Sequence, residues 1–206
     1  MTPTLGLFLA SSNAGKLREY RSLVAGDRVA VELLPEFAQI SPFEEAAPTF
    51  AENAAGKAEH YSRGNDKVVL ADDSGIVVPA LGGAPGVHSA RYAGPSATDA
   101  DRVRKLLHAT ALLEGDERKA KFVCVVAVAR RGRVFIVASD SVEGTLAKEP
   151  RGSGGFGYDP IFFLPQIGMT YAEASQEEKN RLSHRGKAFR RALALLEDPV
   201  SMAWTE

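Results

Sequence analysis

Residues 5–16 read LGLFLASSNAGK, and this stretch decides the class of fold. The apolar run at 5–10 predicts a buried strand, and the polar residues at 11–13 predict a loop. Beyond the loop, apolar residues recur at helical spacing, namely Leu17, Tyr20, Leu23 and Val24. A strand that leads directly into a helix is the repeating unit of α/β folds, so the sequence predicts that class.

The rest of the chain continues this mixture of patterns. Strands are predicted at 29–34, 68–71, 121–129, 134–139, 141–146 and 161–164, and helices at 49–62, 98–115 and 175–198. Helices separate the first strands, whereas the strands flanking residues 130–133 predict a hairpin. The segment 82–94 is too rich in Gly and Pro for regular structure. We therefore expect one α/β domain over residues 1–206, with a mixed twisted sheet flanked by helices.

Composition excludes several classes of protein. With 25 Lys+Arg against 26 Asp+Glu and a net charge of -1, the chain lacks the positive surplus of a nucleic-acid or membrane-surface binder. Its longest strictly apolar run, Phe122–Ala129, is far shorter than the ~20 residues of a transmembrane helix. The single cysteine, Cys124, cannot form an internal disulfide, so we expect a reducing, cytoplasmic setting.

The loop after the first strand has the composition of a phosphate-binding turn. It consists of Ser11, Ser12, Asn13, Ala14, Gly15 and Lys16. Backbone N–H groups at a helix start, hydroxyl and amide side chains and a lysine all suit an anion. The alternative is a polar helix cap with a solvated lysine.

Carboxylates are concentrated in two places. Glu44, Glu45 and Glu52 surround the second helix, while Asp72 and Asp73 follow an apolar strand. The carboxyl ends of strands are where open α/β sheets bind ligands, and hard oxygen ligands suit Mg²⁺. The alternative is that the two aspartates only cap a turn before Gly75.

Two further stretches suit a flat, polar ligand. In the glycine-rich loop GSGGFGYDP (152–160), Phe156 could stack on a base, or Phe156 and Tyr158 could instead be core residues. In EKNRLSHRGKAF (178–189), Lys179 and His184 would lie about 140° apart on one continuous helix. If Ser183 caps a second helix, they can converge with Arg185 on one ligand.

Six strings together resemble the inosine triphosphate pyrophosphatase family, and within it the bacterial dITP/XTP pyrophosphatase branch. In chain order they are SSNAGK, TFAENAAGKA, ADDSG, GGAPGVHSARYAG, GSGGFGYDP and EKNRLSHRGKA. The resemblance covers the chain from Leu7 to about Phe189. It implies a two-lobed fold with a central cleft, a homodimer, and hydrolysis of ITP, dITP and XTP to monophosphate and pyrophosphate.

The resemblance also implies a role for each matching residue. Asp73 is the catalytic carboxylate, and Glu45 and Asp73 are the ligands of Mg²⁺. The substrate-binding residues are the phosphate loop 11–16, Lys57, Ser74, Phe156, Gly157, Tyr158, Asp159, Lys179, His184 and Arg185. His88 stands where family members often have Tyr. The spacing leaves open which carboxylate is the general base.

Two other functions remain open at this point. A non-catalytic nucleotide sensor could use the same pocket, although its carboxylates would repel a triphosphate. A Maf-like pyrophosphatase would act on other modified nucleotides. The cations Lys179, His184 and Arg185 favour 6-oxopurines, because they can donate to the oxygen at C6 where adenine carries an amino group.

Overall fold

A computed structural model describes residues 5–24 and 29–197. Its strands are β1 (Leu5–Leu9), β2 (Val29–Leu33), β3 (Val68–Val77), β4 (Lys119–Arg130), β5 (Arg133–Leu146), β6 (Phe162–Leu164) and β7 (Met169–Thr170). Its helices are α1 (Ala14–Leu23), α2 (Phe50–Ser62), α3 (Asp99–Ala109), α4 (Gln176–Leu182) and α5 (His184–Leu196). The predicted end of the last helix, Asp198, lies outside the described residues. No helix in the described ranges is long and apolar enough to cross a membrane.

The strands form one mixed sheet in the order β2-β1-β3-β4-β5-β6-β7. Strand β1 pairs in parallel with both β2 and β3, so Leu7 lies beside Val31 on one side and Val68 on the other. Strands β5, β6 and β7 pair antiparallel. The predicted α/β class with a mixed sheet is therefore confirmed.

The chain separates into two compact units built from interleaved segments. The first unit contains the described residues up to Asp73, then Cys124–Asp140, and those from Arg185 onward. The second unit contains Ser74–Val123 and Ser141–His184. Strands β3, β4 and β5 each contribute residues to both units, so the boundary falls within strands rather than at a linker.

The first unit is built on strands buried on both faces. One face carries Leu7 and Leu70, which pack with Tyr20 of α1 and Phe189 of α5. The other face carries Ala10, Val69 and Ala71, which pack with Ala54, Ala58 and Tyr61 of α2. Successive side chains of a strand point to opposite faces, and this alternation runs unbroken along β3 toward its two aspartates.

The second unit has its own apolar core. Helix α3 contributes Val103 and Leu106, and the strands contribute aromatic residues that cluster around Phe122. The ring centroid of Phe122 lies 4.5 Å from that of Phe162 and 5.8 Å from that of Tyr171. This core supports the glycine-rich loop, because Tyr158 belongs to it.

Two predicted strand boundaries are wrong. Strand β3 does not end at Ala71 but continues through the acidic residues to Val77. Strand β5 is one element, where a break near Asp140 was predicted. In each strand a carboxylate stays within the strand because it pairs with a cation. Asp72 of β3 pairs with Lys16 at 2.9 Å, and Asp140 of β5 pairs with Arg191 at 2.7 Å. The predicted hairpin is confirmed, with Arg131 and Gly132 both at positive φ in the turn.

One loop prediction and one helix prediction need correction, whereas the predicted break between the last two helices is confirmed. The segment 82–94 contains a 3₁₀ helix, Gly86–Arg91, so it is not wholly irregular. Helix α3 ends at Ala109, capped by Thr110, well before Gly115. The break at Ser183 is real, since extended backbone at this residue separates α4 from α5.

Candidate functional site

Strand β3 presents Asp72 and Asp73 to opposite faces of the sheet. Asp72 continues the row of Val68 and Leu70, on the side of α1 and α5, whereas Asp73 continues the row of Val69 on the side of α2. Both aspartates are buried, at 1% and 5% exposure. The two adjacent carboxylates therefore have entirely different surroundings.

Asp72 is the centre of a buried ion network. Its carboxylate lies 2.9 Å from Nζ of Lys16 and 3.4 Å from Nε of Arg185, and the same guanidinium also pairs with Glu19. The thiol of Cys124 lies 3.9 Å from Oδ2 of Asp72. Burial raises the pKa of this thiol to about 12. Burial alone would raise the pKa of Asp72, but the surrounding cations outweigh it and hold that pKa well below its usual range. Asp72 is therefore a permanent anion that anchors two cations.

Asp73 lies in a different electrostatic environment. Nδ2 of Asn53 donates to its Oδ2 at 3.0 Å. Burial, together with repulsion from Glu45, raises the pKa of Asp73 to about 6. A carboxylate whose pKa lies close to neutral can exchange a proton at physiological pH, which suits a general base.

Lys57 connects the carboxylate of Glu45 with the backbone of strand β3. Its ammonium pairs with Glu45 and also donates to the backbone oxygen of Asp72 at 3.1 Å. Burial lowers the pKa of Lys57, but Glu45 and Asp72 more than offset this and raise it above its usual value. Lys57 is therefore a fixed positive charge close to Glu45 and Asp72.

The raised pKa of Asp73 predicts a pH effect on the metal-free protein. The fold binds this proton more tightly than the unfolded chain does, where the pKa of Asp is about 4. The fold therefore disfavours the ionised form of Asp73, and the free energy of unfolding falls as pH rises from about 4 to about 6. Relative to wild type, we expect Asp73→Asn to gain about 2 kcal/mol of unfolding free energy across this window, measured by urea denaturation with EDTA. The exposed control Asp116→Asn should show no such gain, and a constant difference between wild type and Asp73→Asn would contradict the assignment.

The predicted phosphate turn combines both interpretations made from the sequence. Asn13 caps α1, with Oδ1 accepting from the N–H groups of Gly15 and Lys16 at 2.8 and 3.1 Å. The cap therefore uses these two N–H groups, and anion binding by residues 11–16 stays a prediction. Lys16, however, is not a solvated lysine, since it pairs with Asp72. The turn thus places the ammonium of Lys16 against the carboxylate of Asp72.

The acidic residues around α2 divide by role. Glu52 belongs to the helix cap, because its carboxylate accepts from the hydroxyl of Thr49 at 2.6 Å. Glu44 is exposed, whereas Glu45 is partly buried beside Lys57. Within residues 5–24 and 29–197, no three His, Cys, Asp or Glu side chains form a metal-binding group. The negative charge of Glu45 raises the pKa of Asp73.

In the second unit, the glycine-rich loop closes around Asp159. This carboxylate accepts from the N–H of Phe156 at 2.8 Å and from Nζ of Lys179 at 2.6 Å. Gly155, at φ +73°, has no room for a side chain, because a Cβ there would lie 2.0 Å from the Asp159 carboxylate. The two aromatic residues of the loop differ in burial. Tyr158 is a core residue, whereas Phe156 is only partly buried.

The cations of the last helices have distinct surroundings. Nζ of Lys179 lies 5.1 Å from the ring centroid of Phe156, which places a donor beside a partly exposed aromatic face. The ring of His184 stacks on Phe122, with centroids 4.5 Å apart and an interplanar angle of 5°. Arg185 is held by Glu19 and Asp72 in the first unit. Their convergence on one ligand stays a prediction.

Two polar residues of the buried clusters were missed from the sequence. Asn53 stands one helical turn before Lys57, so the i, i+4 spacing on α2 could have placed them on one face. Glu19 stands among the apolar positions of α1, where a buried acid requires a cation. That cation, Arg185, is 166 residues away, and no local signal connects the two.

Comparison with known proteins identifies the family. A sequence profile described as the Ham1 family matches residues 7–195. The chain belongs to the Ham1 family. It is 50% identical over 182 residues to a dITP/XTP pyrophosphatase of Geobacillus kaustophilus, covering 88% of this chain and 89% of that protein. A dITP/XTP pyrophosphatase of Methylococcus capsulatus is 47% identical over 185 residues, covering 88% and 91%.

Solved structures agree with this family assignment. The HAM1 protein from Coxiella burnetii superimposes with a TM-score of 0.82 at 41% identity, covering 93% of this chain and 98% of that one. The Ham1 protein of Staphylococcus aureus gives a TM-score of 0.81 at 37% identity, with the same coverage. The resemblance noted in the sequence, and the fold class expected from it, are confirmed.

Proposed function

We propose that this Ham1 family member hydrolyses non-canonical purine nucleoside triphosphates, namely ITP, dITP and XTP, to the monophosphate and pyrophosphate. The observation that carries the proposal is the buried Asp73, with its pKa raised to about 6, beside the fixed ammonium of Lys57. The relatives named dITP/XTP pyrophosphatase support the choice of substrate. The carboxylates argue against a nucleotide sensor, which has no need to surround a triphosphate with negative charge.

The first unit supplies the groups for phosphate chemistry. Lys16 and Lys57 offset the charge of the triphosphate, while Asp73 accepts a proton from the attacking water. The water oxygen bonds to the α-phosphorus, the bond from that phosphorus to the α,β-bridging oxygen breaks, and pyrophosphate leaves. Asn53 orients Asp73 by donating a hydrogen bond to its Oδ2.

Mg²⁺ is the cofactor that these residues fit. Glu45 and Asp73 offer carboxylate oxygens close enough for one to raise the pKa of the other. Two carboxylates are sufficient, because Mg²⁺ usually completes its octahedron with waters and substrate phosphates. When bound, the ion would supply charge neutralisation at the polyphosphate. EDTA should abolish turnover and Mg²⁺ should restore it.

The second unit supplies the groups for base recognition. Phe156 offers a partly exposed ring for stacking, and Lys179, held by Asp159, offers an ammonium donor to an oxygen at C6. His184 is proposed as a further donor of this unit, and the family resemblance gives the same role to Arg185 of the first unit. Adenine places an amino group at C6, so each donor left unpaired costs roughly 1–3 kcal/mol and two would disfavour ATP by about a hundredfold or more.

A substrate panel with product identification tests this function. Purified protein is incubated with ITP, dITP, XTP, GTP and ATP in Mg²⁺, and the products are separated by ion-exchange chromatography. We expect pyrophosphate and monophosphate from the first three, at least about a hundredfold faster than from ATP. In H₂¹⁸O the label should enter the monophosphate, because attack is at the α-phosphorus. Release of orthophosphate, or equal turnover of ATP, would overturn the proposal, and tight binding without turnover would favour the sensor.

The assembly and location are also proposals. The family resemblance supports a homodimer, which light scattering measures directly. A cytoplasmic location is supported by the single, buried Cys124, which leaves no internal disulfide to form.

A further inference from the structure

The segment 86–102 has no part in the proposed reaction, yet it contacts the glycine-rich loop at two consecutive residues. The N–H of Gly157 donates to Oδ2 of Asp99 at 2.7 Å. The hydroxyl of Tyr158 donates to the backbone oxygen of Ser89 at 2.8 Å. The loop is therefore tied to this segment by its backbone as well as by a side chain.

Ser89 is itself held against β3. Its Oγ accepts from the N–H of Ile76 at 2.9 Å and donates to the backbone oxygen of Gly86 at 2.6 Å. Gly75 makes this approach possible, because a Cβ there would lie 2.3 Å from that Oγ. The tie at Tyr158 thus ends on a buried, fully engaged residue.

Asp99 is anchored separately. The carboxylate oxygen that does not bond to Gly157 pairs with Arg102. Nη1 of Arg102 in turn donates to the backbone oxygens of Ala90 and Ala97, at 2.9 and 2.7 Å. An aspartate fixed in this way offers its other oxygen in one place, so it can select one position of the loop.

Helix α3 begins with two aspartates that have different partners. Asp101 completes the capping box with Thr98, whose hydroxyl donates to it at 2.6 Å. Asp99 takes no part in that cap, and its Oδ2 instead accepts from the N–H of Gly157. The pair therefore provides a matched comparison between a helix cap and a loop tether.

We propose that Asp99 is a positioning residue that sets the conformation of the glycine-rich loop and thereby the selectivity for the purine base. The inference rests on the proposed function of this loop. Gly157 has φ +62°, and glycine has wide backbone freedom, so the loop needs an external tether to favour one conformation. The N–H of Phe156, one residue earlier, is held by Asp159, so the two tethers together fix the backbone that carries the aromatic ring.

The test compares three variants by steady-state kinetics with ITP and ATP. We expect Asp99→Ala to lower kcat/KM for ITP about tenfold, mainly through KM, and to lower the ITP to ATP ratio similarly, because a displaced loop misplaces the base. Asp99→Asn should recover much of this, since its amide oxygen can still accept from Gly157. Asp101→Ala, which loses the cap instead, should lower thermal stability and leave the ratio unchanged.

A second measurement does not depend on turnover. In ¹H–¹⁵N spectra of the free protein, the Gly157 amide should move on Asp99→Ala and keep its position on Asp101→Ala. An unchanged Gly157 resonance, or equal loss of selectivity in both alanine variants, would overturn the inference. If wild type fails to hydrolyse ITP, the proposed function fails, and the Gly157 resonance still decides whether Asp99 positions the loop.

Discussion

Asp73→Asn is expected to lower the rate of ITP hydrolysis by at least about a thousandfold while the protein stays folded. The amide cannot accept the proton of the attacking water, and it removes one proposed ligand of Mg²⁺. Because ionised Asp73 is disfavoured by burial and by Glu45, the variant should also unfold no more easily than wild type at neutral pH. Pyrophosphate release and urea denaturation measure the two effects.

The neighbouring residue provides the control. Asp72→Asn makes the same chemical change one position earlier but on the other face of β3, where it leaves Lys16 and Arg185 without a shared anion. We expect it to lose stability where Asp73→Asn does not. Residual activity above about one part in ten in Asp73→Asn would move the general-base role to another group.

The largest effect on stability is expected for Arg185→Ala. The guanidinium is 3% exposed and neutralises both Glu19 and Asp72, so its removal leaves two buried carboxylates with less compensation. Breaking a buried ion pair in this way costs about 3–5 kcal/mol. Urea denaturation at neutral pH should show this loss, and it should change little with added salt because the network is shielded from solvent.

An exposed arginine on the same helix is the matched control. Arg190→Ala, at an exposed position of α5, is expected to change the unfolding free energy by less than about 0.5 kcal/mol. Combining Arg185→Met with Glu19→Gln should restore part of the lost stability, because it removes the charge of one of the two buried carboxylates that Arg185 neutralises. If Arg185→Ala and Arg190→Ala were equally mild, the buried network would not stabilise the fold as described.

These predictions show which site features could be seen in the sequence. Asn13 and Lys16 after β1, and the break at Ser183, follow from local patterns and are where the sequence places them. The sequence also locates Asp72 and Asp73 but not their surroundings, because two polar residues after an apolar run predict the end of a strand. Both stay within β3, where Asp72 pairs with Lys16 and Asp73 accepts a hydrogen bond from Asn53.

Glu19 and Asn53 show why the other residues of the buried clusters are visible only in the tertiary structure. Each lies on a helix whose local pattern predicts only the helix, and each matters through a partner remote in sequence, Arg185 and Asp73 respectively. The same holds for Asp99, which looks like an ordinary residue of a helix start and yet bonds to Gly157. Long-range pairing of this kind has no periodicity along the chain.

By itself, the sequence determined the α/β class and the family, and it supplied the residues proposed to contact phosphate and base, because these depend on hydrophobic period, turn chemistry and short motifs. Only the tertiary structure decided what each charged group does. Asp72 and Asp73 are neighbours in the chain with identical side chains, yet the alternation of β3 points one at cations and the other at Asn53 and a repelling glutamate. A pKa depends on the charges and the solvent around a group, and folding alone brings those together.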